Sequence, residues 1–171
     1  DKVAFITGGA SGLGRATAEN FIKAGAKVMV FDLNAETAEQ AAAELGANAS
    51  FAAGDVADED AVRAAVQKTV ETFGGLHINV NSAGIGAAAR TLGREGPMPL
   101  KTFEFIVRVN LIGTFNVLRL CADAMQHNAP VTDDGERGVI INVASVAAFD
   151  GQIGQAAYSA SKGGVAGMTL P

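Results

Sequence analysis

Apolar positions fall along this chain in two rhythms. Short, nearly unbroken runs at Val3–Ile6, Val28–Phe31, Ser50–Ala52, Ile78–Val80 and Val139–Val143 have the length and character of strands buried on both faces of a sheet. Between them, Leu13–Ala24, Ala35–Leu45 and Glu59–Phe73 follow a helical pattern, and each is closed by a glycine: Gly25, Gly46 and Gly74. Asn34 and Asp58 stand where N-caps belong, and the three glycines stand where a helix gives way to a left-handed residue. A longer helix is predicted over Leu100–Met125 and another over Tyr158–Met168. Strand and helix alternate, which predicts an α/β fold with a doubly wound parallel sheet and right-handed crossovers. Ala87–Pro99 and His127–Gly138, where prolines and glycines sit among polar residues, read as loops set into that alternation.

The chain stops at Pro171 with no strand after the last helical stretch. That leaves Val139–Val143 as an exposed apolar sheet edge, which invites aggregation. These residues are therefore expected to be part of a longer protein.

Composition narrows the class. The 171 residues, 49% hydrophobic and 18% charged, suit one globular unit spanning residues 1–171. A net charge of -5 and the lack of an arginine–lysine cluster argue against nucleic acid as a partner. Cys121, the single cysteine, lies in an apolar helical stretch and reads as core. No apolar run is seen to reach the roughly 20 residues that cross a bilayer, so the expected protein is soluble, with no membrane partner. His77 and His127 read as structural or exposed, and no metal is expected, because no His/Cys/carboxylate group has ligand spacing.

The candidate chemistry sits at strand ends. Thr7-Gly8-Gly9-Ala10-Ser11-Gly12-Leu13-Gly14 joins the first strand to the first helix. Such glycines let the backbone turn tightly and approach a pyrophosphate, which the helix N-terminus favours. Asp32 ends the second strand, where a carboxylate can accept hydrogen bonds from adenosine ribose hydroxyls and repel a 2′-phosphate. With no positive charge from Ser11 or Leu33, and Arg15 placed to pair with Glu19 one turn on, NAD is favoured over NADP. Asp55 and Val56 follow the third strand, placed to meet an adenine amino group and ring; Ser82, Ala83 and Gly84 follow the fourth, small enough for the backbone to lie against a nucleoside. Each could instead be ordinary turn chemistry. Tyr158, the only tyrosine, precedes Lys162 by four positions, so on a helix both point into one site. A phenol serves as a base near neutrality only when a neighbour, here a cation, favours the phenolate.

Taken in order, Thr7–Gly14, Asp32, Asp55, Asn81–Gly84, Asn110, Ser145 and Tyr158–Lys162 resemble the short-chain dehydrogenase/reductase family along essentially the whole chain. The resemblance implies a Rossmann-like sheet of order 3-2-1-4-5 here, followed in the family by two more strands that this chain lacks. Ser82 departs from the asparagine many members carry. Gly138–Asn142, Ala144–Phe149 and Gly154–Tyr158, with the two inserted loops, resemble the branch that oxidises 3-hydroxyacyl-CoA and some hydroxysteroids with NAD. This implies an oxidoreductase acting on a secondary alcohol or ketone, and a homotetramer. Alternatives are a 3-oxoacyl carrier-protein reductase, a steroid or secondary-alcohol dehydrogenase, or a non-catalytic nucleotide-binding module. The implied roles give Ser145 the substrate oxygen and Tyr158 its proton. Lys162 takes the nicotinamide ribose, and Asn110 a water that links Lys162 to solvent. Gln155, with Gln152, could line the substrate pocket or be exposed loop. Arg90, Arg94 and Lys101 could meet CoA phosphates or simply be solvated. The implied compartment is the cytoplasm or the mitochondrial matrix.

Overall fold

The computed structural model describes residues 2–171. Its main sheet is built from β1 (Val3–Thr7), β2 (Lys27–Asp32), β3 (Ala49–Ala53), β4 (Ile78–Asn81) and β7 (Val139–Asn142). All neighbours are parallel, in the order β3-β2-β1-β4-β7, which is the expected 3-2-1-4-5 once a small hairpin between the last two is counted. That hairpin, β5 (Leu92–Gly93) with β6 (Gly96–Pro97), lies inside the stretch read as plain loop and corrects that reading. Gly96, which opens the second arm, takes a left-handed φ of 118°.

The sheet is covered on both faces. Ala4, Ile6, Val28 and Val30 pack under α1 (Gly12–Lys23) and α2 (Ala35–Leu45), while Phe5, Met29 and Phe31 pack under α3 (Glu59–Phe73) and α5 (Thr114–Met125). Successive side chains of β1 thus point into two cores, so every residue of that strand is buried and its sequence is an unbroken apolar run ending in Thr7. Each large side chain fully buried in this way stabilises the fold by about 1.5–3 kcal/mol. Asn34 and Asp58 cap as expected, accepting from the amides of Thr37 and Ala61. Burial pushes the Cys121 thiol pKa up, as suits a core residue.

Leu100–Met125 is not one uniform helix. α4 (Leu100–Val107) passes into a π-helical turn, Arg108–Gly113, before α5 begins. Leu100–Met125 as a whole is long and apolar enough, by length and composition, to cross a membrane, its most apolar stretch having a mean hydropathy of 1.4. Here it lies on the sheet, with Ile106, Val117, Leu120, Cys121 and Met125 buried. The last elements are a 3₁₀ turn, Val146–Ala148, and α6 (Ala156–Gly167).

Two features of the sheet went unforeseen. Asn81 donates to the side-chain oxygens of Asn79 (2.8 Å) and Asn142 (2.9 Å), so an asparagine ladder joins β4 to β7. His77, the residue before β4, accepts the Val3 amide on Nδ1 at 3.2 Å.

Candidate active site

The carboxyl ends of β1 through β4 open onto a cleft of ≈ 480 Å³. The order of the sheet reverses between β1 and β4, and such switch points leave a crevice because successive crossovers depart to opposite faces. Gly8 and Gly12 take left-handed φ values of 62° and 52° in the turn that leads into α1. A Cβ on Gly14 would collide with the Gly8 carbonyl, so the first turn of α1 sits directly beneath the loop. Thr7 Oγ1 accepts the amides of Ser82 (3.1 Å) and Ala83 (3.0 Å), tying this turn to the segment after β4.

Gly8, Ser11, Gly12, Leu13, Asp32, Asp55, Val56, Ser82, Ala83 and Gly84 all line the cleft. Asp32 does more than face it. Its Oδ2 accepts the Ala10 amide at 3.1 Å and its Oδ1 the Leu33 amide at 2.8 Å, so the carboxylate braces the glycine-rich turn. Asp55 accepts the Ala57 amide at 2.8 Å and lies 3.6 Å from the Arg108 guanidinium. The Val56 carbonyl is held by the buried Asn116 amide at 2.9 Å. Phe31, Leu33, Gly54, Ile85, Phe105 and Val109 also line the cleft and were not predicted. Gly54 and Ile85 follow strand ends and could have been found by position. Phe105 and Val109 come from the long helix, and only their helical spacing of four places them on one face.

Lys162 and Asn110 lie beside Gly84, with Tyr158 next to Lys162. Lys162 is buried, its Nζ donating to the Val143 carbonyl at 2.7 Å and lying 5.9 Å from the Tyr158 ring centroid. Burial holds its pKa below the ordinary lysine value. A Cβ on Gly84 would lie 3.5 Å from Lys162 Nζ and 3.2 Å from Asn110 Oδ1, so both side chains pack beside Gly84, which lines the cleft. Asn110, in the π-helical turn, is fully buried. It accepts the Ile85 amide at 2.8 Å and donates both to the Ile85 carbonyl (2.9 Å) and to Ser161 Oγ (3.1 Å). Ser161 in turn donates to the Tyr158 carbonyl at 2.7 Å. Its part in this chain of contacts was hidden inside the Tyr-x-x-x-Lys motif.

Ser145 follows β7 and caps the 3₁₀ turn, its Oγ accepting the Ala147 amide at 3.2 Å; α6 packs against that turn. Gln155 stands just before α6 and accepts the Gln152 amide at 2.9 Å, so both glutamines take part in closing their own loop. The backbone of that loop reaches the other insertion through the Ala89 amide, 2.8 Å from the Gly154 carbonyl.

A family model described as short chain dehydrogenase matches residues 2–170. The 3-hydroxyacyl-CoA dehydrogenase type-2 of Bos taurus is 53% identical over 99% of this chain and 65% of that protein. The protein of the same name from Drosophila melanogaster is 51% identical over 100% of this chain and 68% of its own length. A crystal structure of 3-hydroxyacyl-CoA dehydrogenase type-2 from Mycobacterium avium superposes with a TM-score of 0.92 at 39% identity, covering 99% of this chain and 66% of that one. The chain thus spans about two thirds of the length of these relatives.

Proposed function

The chain belongs to the short-chain dehydrogenase family, and from that premise we propose that it is an NAD-dependent oxidoreductase interconverting 3-hydroxyacyl-CoA and 3-oxoacyl-CoA. The observation that carries this reading is the meeting of Tyr158 and buried Lys162 beside Gly84, at one end of a cleft shaped for a dinucleotide. The residues fit such a cofactor. The tight approach of Gly14 to Gly8 leaves room above the turn, and the N-terminus of α1 suits a pyrophosphate. Asp32 stands where a ribose would reach it and where the added phosphate of NADP would be repelled. When bound, the nicotinamide supplies the acceptor or donor of hydride.

The chain's own groups do the rest. Ser145, whose Oγ already accepts an amide, has its hydroxyl hydrogen left to donate to the substrate oxygen. Tyr158 takes the proton of the alcohol in oxidation and returns it to the ketone in reduction. Lys162 spends one of three donors on Val143, leaving others for the nicotinamide ribose, and its positive charge favours the phenolate. Asn110 holds Ile85 and Ser161 in place, and through them the loop and helix that face each other across the site. A water anchored on Asn110 would carry protons between Lys162 and solvent. Gln155 borders the substrate side, and Arg90, Arg94 and Lys101 are the proposed contacts for CoA phosphates.

The acyl-CoA assignment is supported by relatives of that name at about half identity. Residues 1–171 are read as a single NAD-binding unit of a homotetramer. The proposed compartment is the cytoplasm or the mitochondrial matrix.

The test is an NADH absorbance assay of the full-length protein with NAD and a panel of 3-hydroxyacyl-CoAs and secondary alcohols. Turnover is expected with the acyl-CoAs, and Tyr158→Phe is expected to keep NAD binding while losing on the order of 100-fold or more in kcat. Near-normal turnover by that variant would remove Tyr158 from the mechanism. NAD binding without oxidation of any substrate would point to a non-catalytic nucleotide-binding role.

A further inference from the structure

Phe105 is a large aromatic side chain that takes no part in the core. It sits on α4 with 58% of its surface exposed, while its neighbour Ile106 fills the core. Yet it lines the cleft, as does Val109 four residues on, so this face of the helix forms one wall of the candidate cofactor site. Opposite stand Asp55 and Val56, and between them on the sequence of that wall is Arg108. Its guanidinium lies 3.6 Å from the Asp55 carboxylate and 3.4 Å from the Ala57 carbonyl. The two walls are therefore tied together at this end of the cleft.

Which part of a ligand comes here follows from the rest of the cleft. Gly84, with Lys162 beside it, follows β4 and Asp55 follows β3, and the glycine-rich turn follows β1, which lies between those two strands in the sheet. A dinucleotide whose pyrophosphate rests on the turn and whose reactive ring lies near Lys162 must carry its other base to Asp55, Val56 and Phe105. We propose that Phe105 is a base-binding residue: its ring covers the face of the adenine, while Asp55, steadied by Arg108, accepts from the amino group on the base's edge. This rests on the dinucleotide reading of the cleft and adds to it a specificity contact contributed by the helix rather than by a strand end. Aromatic rings bind purines face to face because both are flat, polarizable and poorly hydrated on their faces. Phe105 is the aromatic residue of the cleft wall that is also widely open to solvent, since Phe31, the other aromatic there, is fully buried.

The test compares full-length protein with Phe105→Ala and Phe105→Tyr by calorimetric titration of NAD, ADP-ribose and nicotinamide mononucleotide. The alanine variant is expected to bind NAD and ADP-ribose about tenfold more weakly, both by the same factor, as loss of a base stack requires. Nicotinamide mononucleotide should be unaffected, and tyrosine, which keeps the flat ring, should restore affinity to within about twofold. Equal losses for the mononucleotide and ADP-ribose would overturn the assignment, since the ring would not be acting on the adenine half. So would unchanged NAD affinity accompanied by a changed sedimentation coefficient, which would make Phe105 a contact between protein copies. A parent protein that binds none of the three ligands would overturn the dinucleotide reading itself. Tight parent binding with an unaffected alanine variant would overturn only the role of Phe105.

Discussion

Asp32 meets two demands with one carboxylate, holding the Ala10 amide on the inside and facing the cleft on the outside. The choice of substitution decides which demand is probed. Asp32→Asn keeps an oxygen for the Ala10 amide and removes the charge, so the glycine-rich turn should persist while the bias against a 2′-phosphate falls. Equilibrium titrations are expected to show the ratio of NADP to NAD dissociation constants dropping on the order of tenfold, the scale of one exposed charge pair; an unchanged ratio would assign the selectivity elsewhere. His77 carries a different burden. Its Nδ1 is an acceptor, so the ring must be neutral there, and burial together with nearby Lys2 lowers its pKa below 6.5. The unfolded chain then binds the proton more readily. Stability from this site is complete above the ordinary histidine pKa and is lost as pH falls through the depressed folded one. Denaturation midpoints of the parent should decline below about pH 6.5, and the decline should be shallower in His77→Phe. Parallel curves would clear His77.

The interrupted helix is the element on which both ends of the site depend. Asn110 reaches the Lys162 end through Ile85 and Ser161, while Arg108 and Asn116 reach the Asp55 end through Asp55, Ala57 and Val56. Gly113 closes the π-helical turn against Val56, where an added Cβ would lie 2.5 Å from Cγ2 and 3.4 Å from the backbone carbonyl carbon. The obstruction is the Val56 side chain, which is buried and has little room to turn away. Gly113→Ala should therefore lower unfolding free energy by about 1–3 kcal/mol in urea, the usual cost of overpacking. Trimming the partner in Gly113→Ala/Val56→Ala should recover most of it, and a double variant no better than the single one would show that Val56 is not the obstruction. The π-helical turn was not visible in the sequence of Leu100–Met125. A π-helical turn adds one residue without altering the apolar spacing enough to break a helical reading, and it became apparent only once the flanking α4 and α5 had different surfaces to pack on.

Across the whole molecule, the sheet joins five strands whose order could be inferred, but β7 ends it with Val139 and Ile141 still 49% and 44% exposed. The chain spans about two thirds of the length of its relatives. The amino-acid sequence by itself determined the alternation of strands and helices, the capping residues and the glycine-rich turn. These rest on local periodicity and backbone preference, which neighbouring residues settle among themselves. It also placed Asp32, Tyr158 and Lys162 at element ends or one helical turn apart, where geometry is short-range. Only the tertiary structure decided that Lys162 is buried on the Val143 carbonyl, that Asn110 joins Ile85 to Ser161, and that Phe105 turns into the cleft. Those contacts bridge residues 19, 25, 51 and more positions apart, and their partners are selected by packing in three dimensions rather than by any spacing along the chain.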